Sequence, residues 1–169
     1  MTSLRQRAAQ GLKVGDSFTL SRLFSDADIQ DFAKISRDYN PVHCDARFAE
    51  ARGFRAPVSH GLLTASLLTE IGGQIGWLAA GMTFDFKKPV YAGDRITCHW
   101  LITEITHNTR AAATVTMTNE DDVVALQAHT RGILPRAEER EILSRMLAEG
   151  DPSNGAREVC ALATPAMLP

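Results

Sequence analysis

The longest apolar stretch of this 169-residue chain lies at residues 59–80. Its large apolar residues fall on most sides of a helical projection, which indicates a helix that is buried almost all round. Small residues, including three glycines, form a stripe along the same segment. Because each glycine destabilises a helix by ~1 kcal/mol relative to alanine, we expect another backbone to pack closely against this helix.

Before this apolar stretch, a strand pattern is followed by helical patterns. Residues 16–24 are rich in β-favouring side chains and predict a strand. Ser25 then begins a helix, because its hydroxyl can cap free amides and an acidic residue follows three positions later. We expect this helix to end near Arg37, since the Asn-Pro step at 40–41 cannot continue it. Residues 45–54 predict one or two further helical turns.

After Gly81 the chain changes to partly alternating, β-branched runs that are separated by the turn signals AGD, HN and EDD. These runs predict three or four long antiparallel strands. A buried helix followed by such a meander indicates an α+β fold in which a curved antiparallel sheet wraps around the central helix. We expect this domain at residues 1–135, and a charged surface helix with a flexible tail or dimer arm at residues 136–169.

Composition and charge exclude several classes of protein. Hydrophobic residues make up 44% of the chain and the net charge is −2, so no strong field is available to attract nucleic acid. Three widely spaced cysteines indicate a reducing compartment. The first residues do not form an apolar leader, and no run reaches the ~18 apolar residues of a membrane span. We therefore expect a cytoplasmic protein without nucleic-acid or membrane partners.

A polar segment lies immediately before the apolar helix and carries the candidate chemistry. Its residues are Asp38-Tyr39-Asn40-Pro41-Val42-His43, Asp45, Phe48, Ala49, Gly53-Phe54 and His60-Gly61-Leu62-Leu63. A second block, FKKPVYAGD, occupies residues 86–94. Together the two blocks resemble the signature of the MaoC-like dehydratases, the family of the (R)-specific enoyl-CoA hydratases, and the whole resemblance covers about residues 12–134.

The resemblance implies a hot-dog fold, usually dimeric, that adds water to a trans-2-enoyl thioester or removes it from a (3R)-hydroxyacyl thioester. It assigns catalysis to Asp38 and His43, and it assigns the thioester oxygen to the amide of Gly61. A serine that lines the site in relatives falls at Thr69, although Ser66 lies one turn away and also supplies a hydroxyl. The implied partners are an acyl-CoA or acyl-carrier-protein thioester and a second copy of the chain, as a homodimer or dimer of dimers. We expect no cofactor other than the CoA of the substrate.

This reaction suits the residue types. Hydration takes a proton from water and delivers one to Cα, so two proton-handling groups must share one water. With ordinary pKa values of ~3.9 and ~6.5, Asp38 supplies an acceptor and His43 supplies a partner of adjustable charge. Pro41 prevents a helix between them, which allows both side chains to turn into one pocket. The Gly61 amide, at the start of a helix, can stabilise developing negative charge.

Four further positions have weaker signals for substrate binding. Asn40 is expected mainly to brace its loop through side-chain hydrogen bonds. His60 is expected to orient the turn at Gly61 rather than to transfer protons. Lys87 and Lys88 could contact the anionic part of CoA or of a carrier protein, or could be a solvated strand edge.

Other chemistry is disfavoured by the sequence. Cys44 follows His43 directly, yet adjacent side chains diverge in an extended segment, so a cysteine nucleophile is not expected. The remaining candidate metal ligands near this segment lack recognisable spacing, and we expect no metal. Three other histidines fall in or beside predicted strands, where surface or sheet positions are expected: His99, His107 and His129.

Three alternative functions remain open at this point. An acyl-carrier-protein dehydratase would use the same residues on a different thioester. A non-catalytic acyl-thioester binding or dimerisation module would keep the groove, although it would not need Asp38, His43 and Gly61 together. A thioesterase on the same fold would release free thiol. Acyl length depends on which residues of the sheet and helix face inward, and these motifs do not fix it.

Overall fold

The computed structural model describes residues 3–107 and 109–154. The strands in these residues form one five-stranded sheet with the order β1-β3-β4-β5-β2, and all neighbouring strands are antiparallel. The prediction of a curved antiparallel sheet is therefore confirmed. The strands are β1 Ser17–Leu23, β2 Leu78–Phe86, β3 Arg95–Ile105, β4 Arg110–Thr118 and β5 Val124–Ile133.

Helices cover one face of the sheet and its ends. The helix at Asp26–Ser36 begins as predicted. The Ser25 hydroxyl accepts a hydrogen bond from the Asp28 amide, and the Asp28 carboxylate accepts one from the Ser25 amide. No helix within the described residues is long and apolar enough to cross a bilayer. The helices are α1 Leu4–Gln10, α2 Asp26–Ser36, α3 Ala46–Ala51, α4 Gly61–Gln74 and α5 Ala137–Ala148, with a 3₁₀ turn at Pro41–His43.

The core lies between α4 and the concave face of the sheet. Leu67, Leu68 and Ile71 of α4 are almost completely buried, and Trp100 of β3 lies within the same core cluster. A Cβ added at Gly72 would lie 3.7 Å from the Trp77 Cβ, so a side chain rather than another backbone approaches there. Among the described residues, nothing lies within 4 Å of a Cβ at Gly73, and the Pro135 side chain is nearest at Gly76, so the expected backbone approach along the glycine stripe is wrong.

The predicted helix at residues 59–80 is too long. Helix α4 ends at Gln74, and Gly76 adopts a left-handed φ of 68°, which turns the chain into β2. Leu78 is the first residue of that strand and is 68% exposed, and Leu62 on α4 is 59% exposed. Burial on nearly every side is therefore also wrong, because the apolar run spans two elements with different buried faces.

Helix α1 was not predicted, although its Leu4 and Ala8 are buried in the core. It packs against α5, whose predicted position is confirmed. The Arg5 side chain donates to the carbonyls of Gly73 and Gln74 at 3.4 and 3.5 Å, so it covers the C-terminal end of α4. The predicted boundary near residue 135 falls between β5 and α5, and the predicted tail lies mostly outside the described residues.

Candidate active site

The loop between α2 and α3 places the predicted acid and base beside each other. Helix α2 ends at Arg37, which has the left-handed values φ 59° and ψ 21°. The Asp38 amide then donates to the Ser36 hydroxyl at 3.2 Å. Pro41 begins the 3₁₀ turn that ends at His43. The helix therefore ends where predicted, but at the left-handed Arg37 and before the Asn-Pro step, and the tight turn brings residues five apart together.

The Asp38 carboxylate has one anchored oxygen and one available oxygen. Its Oδ1 accepts the Asn40 amide at 3.2 Å. Its Oδ2 lies 3.7 Å from Nε2 of His43, and the side chain is 50% exposed. This distance exceeds that of a direct hydrogen bond, but it is short enough for one water to contact both atoms.

The His43 ring is oriented by a backbone carbonyl. Its Nδ1 lies 2.8 Å from the Val58 carbonyl oxygen. Since a carbonyl can only accept, Nδ1 carries the proton and neutral His43 presents the Nε2 lone pair toward Asp38. The imidazole is only 13% exposed, so its orientation is also fixed by packing. The pair can therefore take a proton from a shared water and return one.

Two backbone hydrogen bonds hold the start of α4 against this loop. The Val58 amide donates to the Val42 carbonyl at 3.0 Å, and the Ser59 amide donates to the Val90 carbonyl at 2.7 Å. Gly61 is the first residue of α4, where backbone amides have no partner within the helix and the helix dipole is positive.

The backbone at Gly61 lies close to an aromatic ring of another element. A Cβ at this position would lie 2.8 Å from Cε1 of Phe86, at the end of β2. Gly61 and His43 line the same cleft, which has a volume of about 450 Å³. Val90 and Leu126 supply apolar surface in this cleft, and Lys87 and Lys88 also line it.

Of the predicted substrate-binding residues, Asn40 has the expected bracing contacts. Its Oδ1 accepts the Val42 amide at 3.2 Å, and its carbonyl accepts the His43 amide at 2.9 Å. The hydroxyls of Ser66 and Thr69 donate to carbonyls of their own helix, at 2.6 and 2.7 Å. Neither residue is among those that line the cleft, so a substrate role for them stays a prediction.

Several cleft residues were not predicted as site residues, among them Ser59, Thr64 and Phe86. Thr64 lies three residues after Gly61, so the two share a helix face, and this spacing was a signal that could have identified it. Phe86 opens the second family-like block, but the sequence does not indicate that its ring lies against Gly61.

Asp45, Cys44 and Cys98 show no sign of taking part in proton transfer or nucleophilic attack. The Arg47 side chain, by hydrogen bonding, lowers the pKa of Asp45 to about 2, so Asp45 is a poor proton donor. Burial raises the pKa of Cys98 to about 12, which makes its thiolate inaccessible at neutral pH. Cys44 is exposed, and its Sγ lies 3.8 Å from the Asn40 carbonyl oxygen. His99 and His129 are exposed on strands, as expected, and His107 is exposed beside β3.

A set of potential metal ligands does occur at the site. Asp38, His43 and His60 each have a donor atom within 4.8 Å of the others. The two imidazoles, however, are stacked with centroids 3.8 Å apart and an interplanar angle of 28°. Because a metal binds in the plane of an imidazole, one ion cannot easily lie in the planes of two stacked rings. The arrangement therefore suits proton transfer better, and the expectation of no metal stays a prediction.

Comparisons with known proteins identify the family of the chain. Residues 6–125 match the family described as the MaoC like domain. The chain is 38% identical over 102 residues to the (R)-specific enoyl-CoA hydratase of Aeromonas caviae, which covers 58% of this chain and 76% of that protein. It is also 38% identical over 87 residues to a mitochondrial 3-hydroxyacyl-[acyl-carrier-protein] dehydratase of Arabidopsis thaliana, across 50% of this chain and 52% of that one.

The fold is likewise similar to that of a solved hydratase. The structure of the (R)-hydratase from A. caviae superposes with a TM-score of 0.69 and 33% sequence identity, covering 75% of this chain and 99% of that one. The remaining quarter of this chain lies outside the superposed region. The expected hot-dog architecture is therefore confirmed.

Proposed function

This chain belongs to the MaoC-like domain family, and we propose that it is a hydro-lyase that interconverts a trans-2-enoyl thioester and a (3R)-hydroxyacyl thioester. One observation carries the proposal: Asp38 Oδ2 and His43 Nε2 lie 3.7 Å apart, close enough for one water to contact both atoms. The pair lies beside the N-terminus of α4, which has no side-chain cap. The names of relatives that carry out this reaction support the proposal.

In the hydration direction, one water bridges Asp38 and His43. The pair takes one proton from the water as its oxygen forms a bond to Cβ of the enoyl group. Electrons of the Cα=Cβ bond move toward the thioester, and the pair then delivers the proton to Cα. The water thus divides into the hydroxyl at Cβ and the hydrogen at Cα, and the pair returns to its starting state. Such acid–base catalysis contributes ~10²–10⁴ in rate.

The intermediate carries negative charge on the thioester oxygen. In the proposed complex this oxygen accepts a hydrogen bond from the Gly61 amide, at the positive end of α4. The absence of a side chain at Gly61 allows the thioester to come close. The acyl chain extends along the apolar wall formed by Val90 and Leu126.

We infer that CoA is the carrier of the acyl group. Lys87 and Lys88 line the cleft and can meet the phosphates of CoA, although Lys87 Nζ also lies 3.7 Å from Asp85. An acyl-carrier-protein dehydratase is the second candidate, because a plant relative of that name is 38% identical to this chain. Rates on CoA and carrier-protein thioesters with the same acyl chain separate the two.

We also propose a homodimer that forms through strand β2. This strand is at the edge of the sheet, and its Leu78 and Phe86 are 68% and 55% exposed. Pairing of two such edges satisfies their open backbone groups and covers both side chains. Sedimentation equilibrium tests this proposal, since a concentration-independent monomer would contradict it.

A cytoplasmic location and a role in fatty acid metabolism complete the proposal. Cys44 and Cys98 are free thiols, which fits a reducing compartment. Acyl thioesters are the substrates that the relatives' names give.

The direct test is to mix the protein with crotonyl-CoA and follow the absorbance of the conjugated thioester. Absorbance should fall as (3R)-hydroxybutyryl-CoA forms, and chiral analysis should give the R product. A panel of enoyl-CoAs from four to sixteen carbons then defines the acyl length. If no member of this panel or its carrier-protein counterparts loses absorbance, the proposal is wrong, and release of free thiol would indicate a thioesterase instead.

A further inference from the structure

His60 occupies the N-cap position of α4, but its side chain makes no capping hydrogen bond. N-cap side chains usually accept an amide of the first helical turn. The His60 ring instead turns back toward the catalytic loop and is 1% exposed. A buried polar ring that leaves the helix uncapped must be held by other contacts.

Those contacts join His60 to both members of the proton-transfer pair. Its Nε2 donates to the Asp38 carbonyl oxygen at 3.0 Å. Its ring stacks on His43 at a centroid distance of 3.8 Å. It also meets the Phe32 ring of α2 at 5.1 Å, with a tilt of 54°. One buried ring therefore contacts the backbone of the carboxylate and the side chain of the base.

The contacts of the His60 ring also indicate where it carries its proton. Because the carbonyl only accepts, Nε2 carries the proton, and Nδ1 is buried with no hydrogen-bond partner among the described residues. A second proton on Nδ1 would have no acceptor there, so the ring is neutral. When His43 takes a proton during turnover, its positive charge lies against the face of a neutral ring and not beside a second positive charge.

We propose that His60 is a positioning residue that holds Asp38 and His43 at their working separation and stabilises the protonated form of His43. This inference rests on the proposed hydro-lyase function. It differs from the sequence expectation that His60 binds substrate or orients the turn at Gly61, because the contacts of its ring are with the pair.

The test uses two variants that remove different contacts. His60→Phe keeps a buried ring on His43 but loses the donor to Asp38, and His60→Gln keeps a donor but loses the ring. Each should lower kcat for crotonyl-CoA by ~10–100-fold, since small displacements of reacting groups reduce rates by this order. KM should change less than kcat. His99→Phe, at an exposed histidine on β3, is the matched control and should keep wild-type kcat.

A second measurement needs no substrate. ¹⁵N chemical shifts of the histidine rings in the wild-type protein at neutral pH should show a neutral Nε2–H form for His60 and an Nδ1–H form when His43 is neutral. In His60→Gln, which loses the ring stacked on His43, the pH titration of His43 should shift. An Nδ1–H or doubly protonated His60 would overturn the proposal, as would folded variants that keep wild-type kcat, with an unchanged His43 titration in His60→Gln.

The two measurements separate this inference from the proposed function. If the wild-type protein has the expected ring forms but no hydratase activity, the proposed function fails while the positioning contacts stand. If either variant does not fold, the other variant and the wild-type shifts still decide. Wild-type activity with the wrong His60 form would overturn only the positioning role.

Discussion

The two ends of helix α4 carry two polar clusters that are built on opposite principles. At the N-terminus, Asp38 Oδ2 and His43 Nε2 face each other at 3.7 Å without a direct hydrogen bond. At the C-terminus, the Arg5 guanidinium contacts the Asp151 carboxylate, the Ser153 hydroxyl at 2.7 Å and two carbonyls of α4. The polar groups of the first cluster can still bind a substrate, whereas those of the second cluster bind other groups of the protein.

Exposure follows the same division. The Asp38 side chain is 50% exposed, but those of Arg5 and Asp151 are 8% and 5% exposed. A buried ion pair of this kind destabilises the fold when one partner is removed. Residues of the N-terminal cluster should therefore be needed for activity more than for stability, and residues of the C-terminal cluster should show the reverse.

The largest effect is expected from Asp38→Asn and His43→Gln. Each removes one proton-handling group, so kcat for crotonyl-CoA hydration should fall by ~10²–10⁴. Thermal unfolding should change little for Asp38→Asn, whose side chain is 50% exposed, and more for His43→Gln, which loses the ring stack on His60. Melting followed by circular dichroism provides the control. A variant with wild-type kcat would contradict the claim that the N-terminal cluster is needed for activity.

Gly61→Ala keeps the backbone amide but should displace it, and a misplacement of ~1 Å lowers activity by ~10². The added Cβ would lie 2.8 Å from the Phe86 ring and would force the helix start or the ring to move. The double variant Gly61→Ala/Phe86→Ala removes this clash and should recover part of the activity relative to Gly61→Ala. If Gly61→Ala alone behaves as wild type in kcat and melting, the site geometry described for Gly61 is wrong.

Arg5→Met should lower the melting temperature by several degrees and leave kcat nearly unchanged. The substitution leaves the Asp151 carboxylate covered without its cation and removes the donors to the end of α4. Arg22→Met is the matched control, since its pair with Asp28 is exposed and worth only ~0.2–1 kcal/mol. Equal melting of the two variants would contradict the assigned role of the C-terminal cluster.

The smallest expected effect is on stability in acid. Hydrogen bonds from Ser153, with help from Arg5, lower the pKa of Asp151 below its ordinary value of 3.8. Its contribution is therefore present above pH ~4 and is lost as the pH falls through the lowered folded-state pKa. Asp151→Asn should lose less stability than wild type between pH 5 and pH 2 in urea unfolding. Parallel pH curves for the two proteins would contradict this coupling.

The sequence predicted the elements that begin or end on strong local signals. Ser25 defines the start of α2, the helix ends shortly before the Asn-Pro step, and the loop with Asp38 and His43 follows it. The end of α4 was missed because the strand after Gly76 is also apolar, so hydrophobicity does not change at the boundary.

Contacts between distant parts of the chain could not be predicted from the sequence. Arg5 and Asp151 are 146 positions apart, and their residue types do not identify each other. The ring stack of His43 and His60 depends on how Val58 is held between two segments, which requires the assembled fold. The family resemblance therefore gave the candidate catalytic residues, and tertiary packing gave their orientation.

The most direct test of the proposed site is a crystal structure of the Asp38→Asn variant with crotonyl-CoA bound. The thioester oxygen should lie within hydrogen-bonding distance of the Gly61 amide, with Cβ facing the gap between residue 38 and His43. An acyl group bound away from Gly61, or with Cβ turned from that gap, would contradict the mechanism.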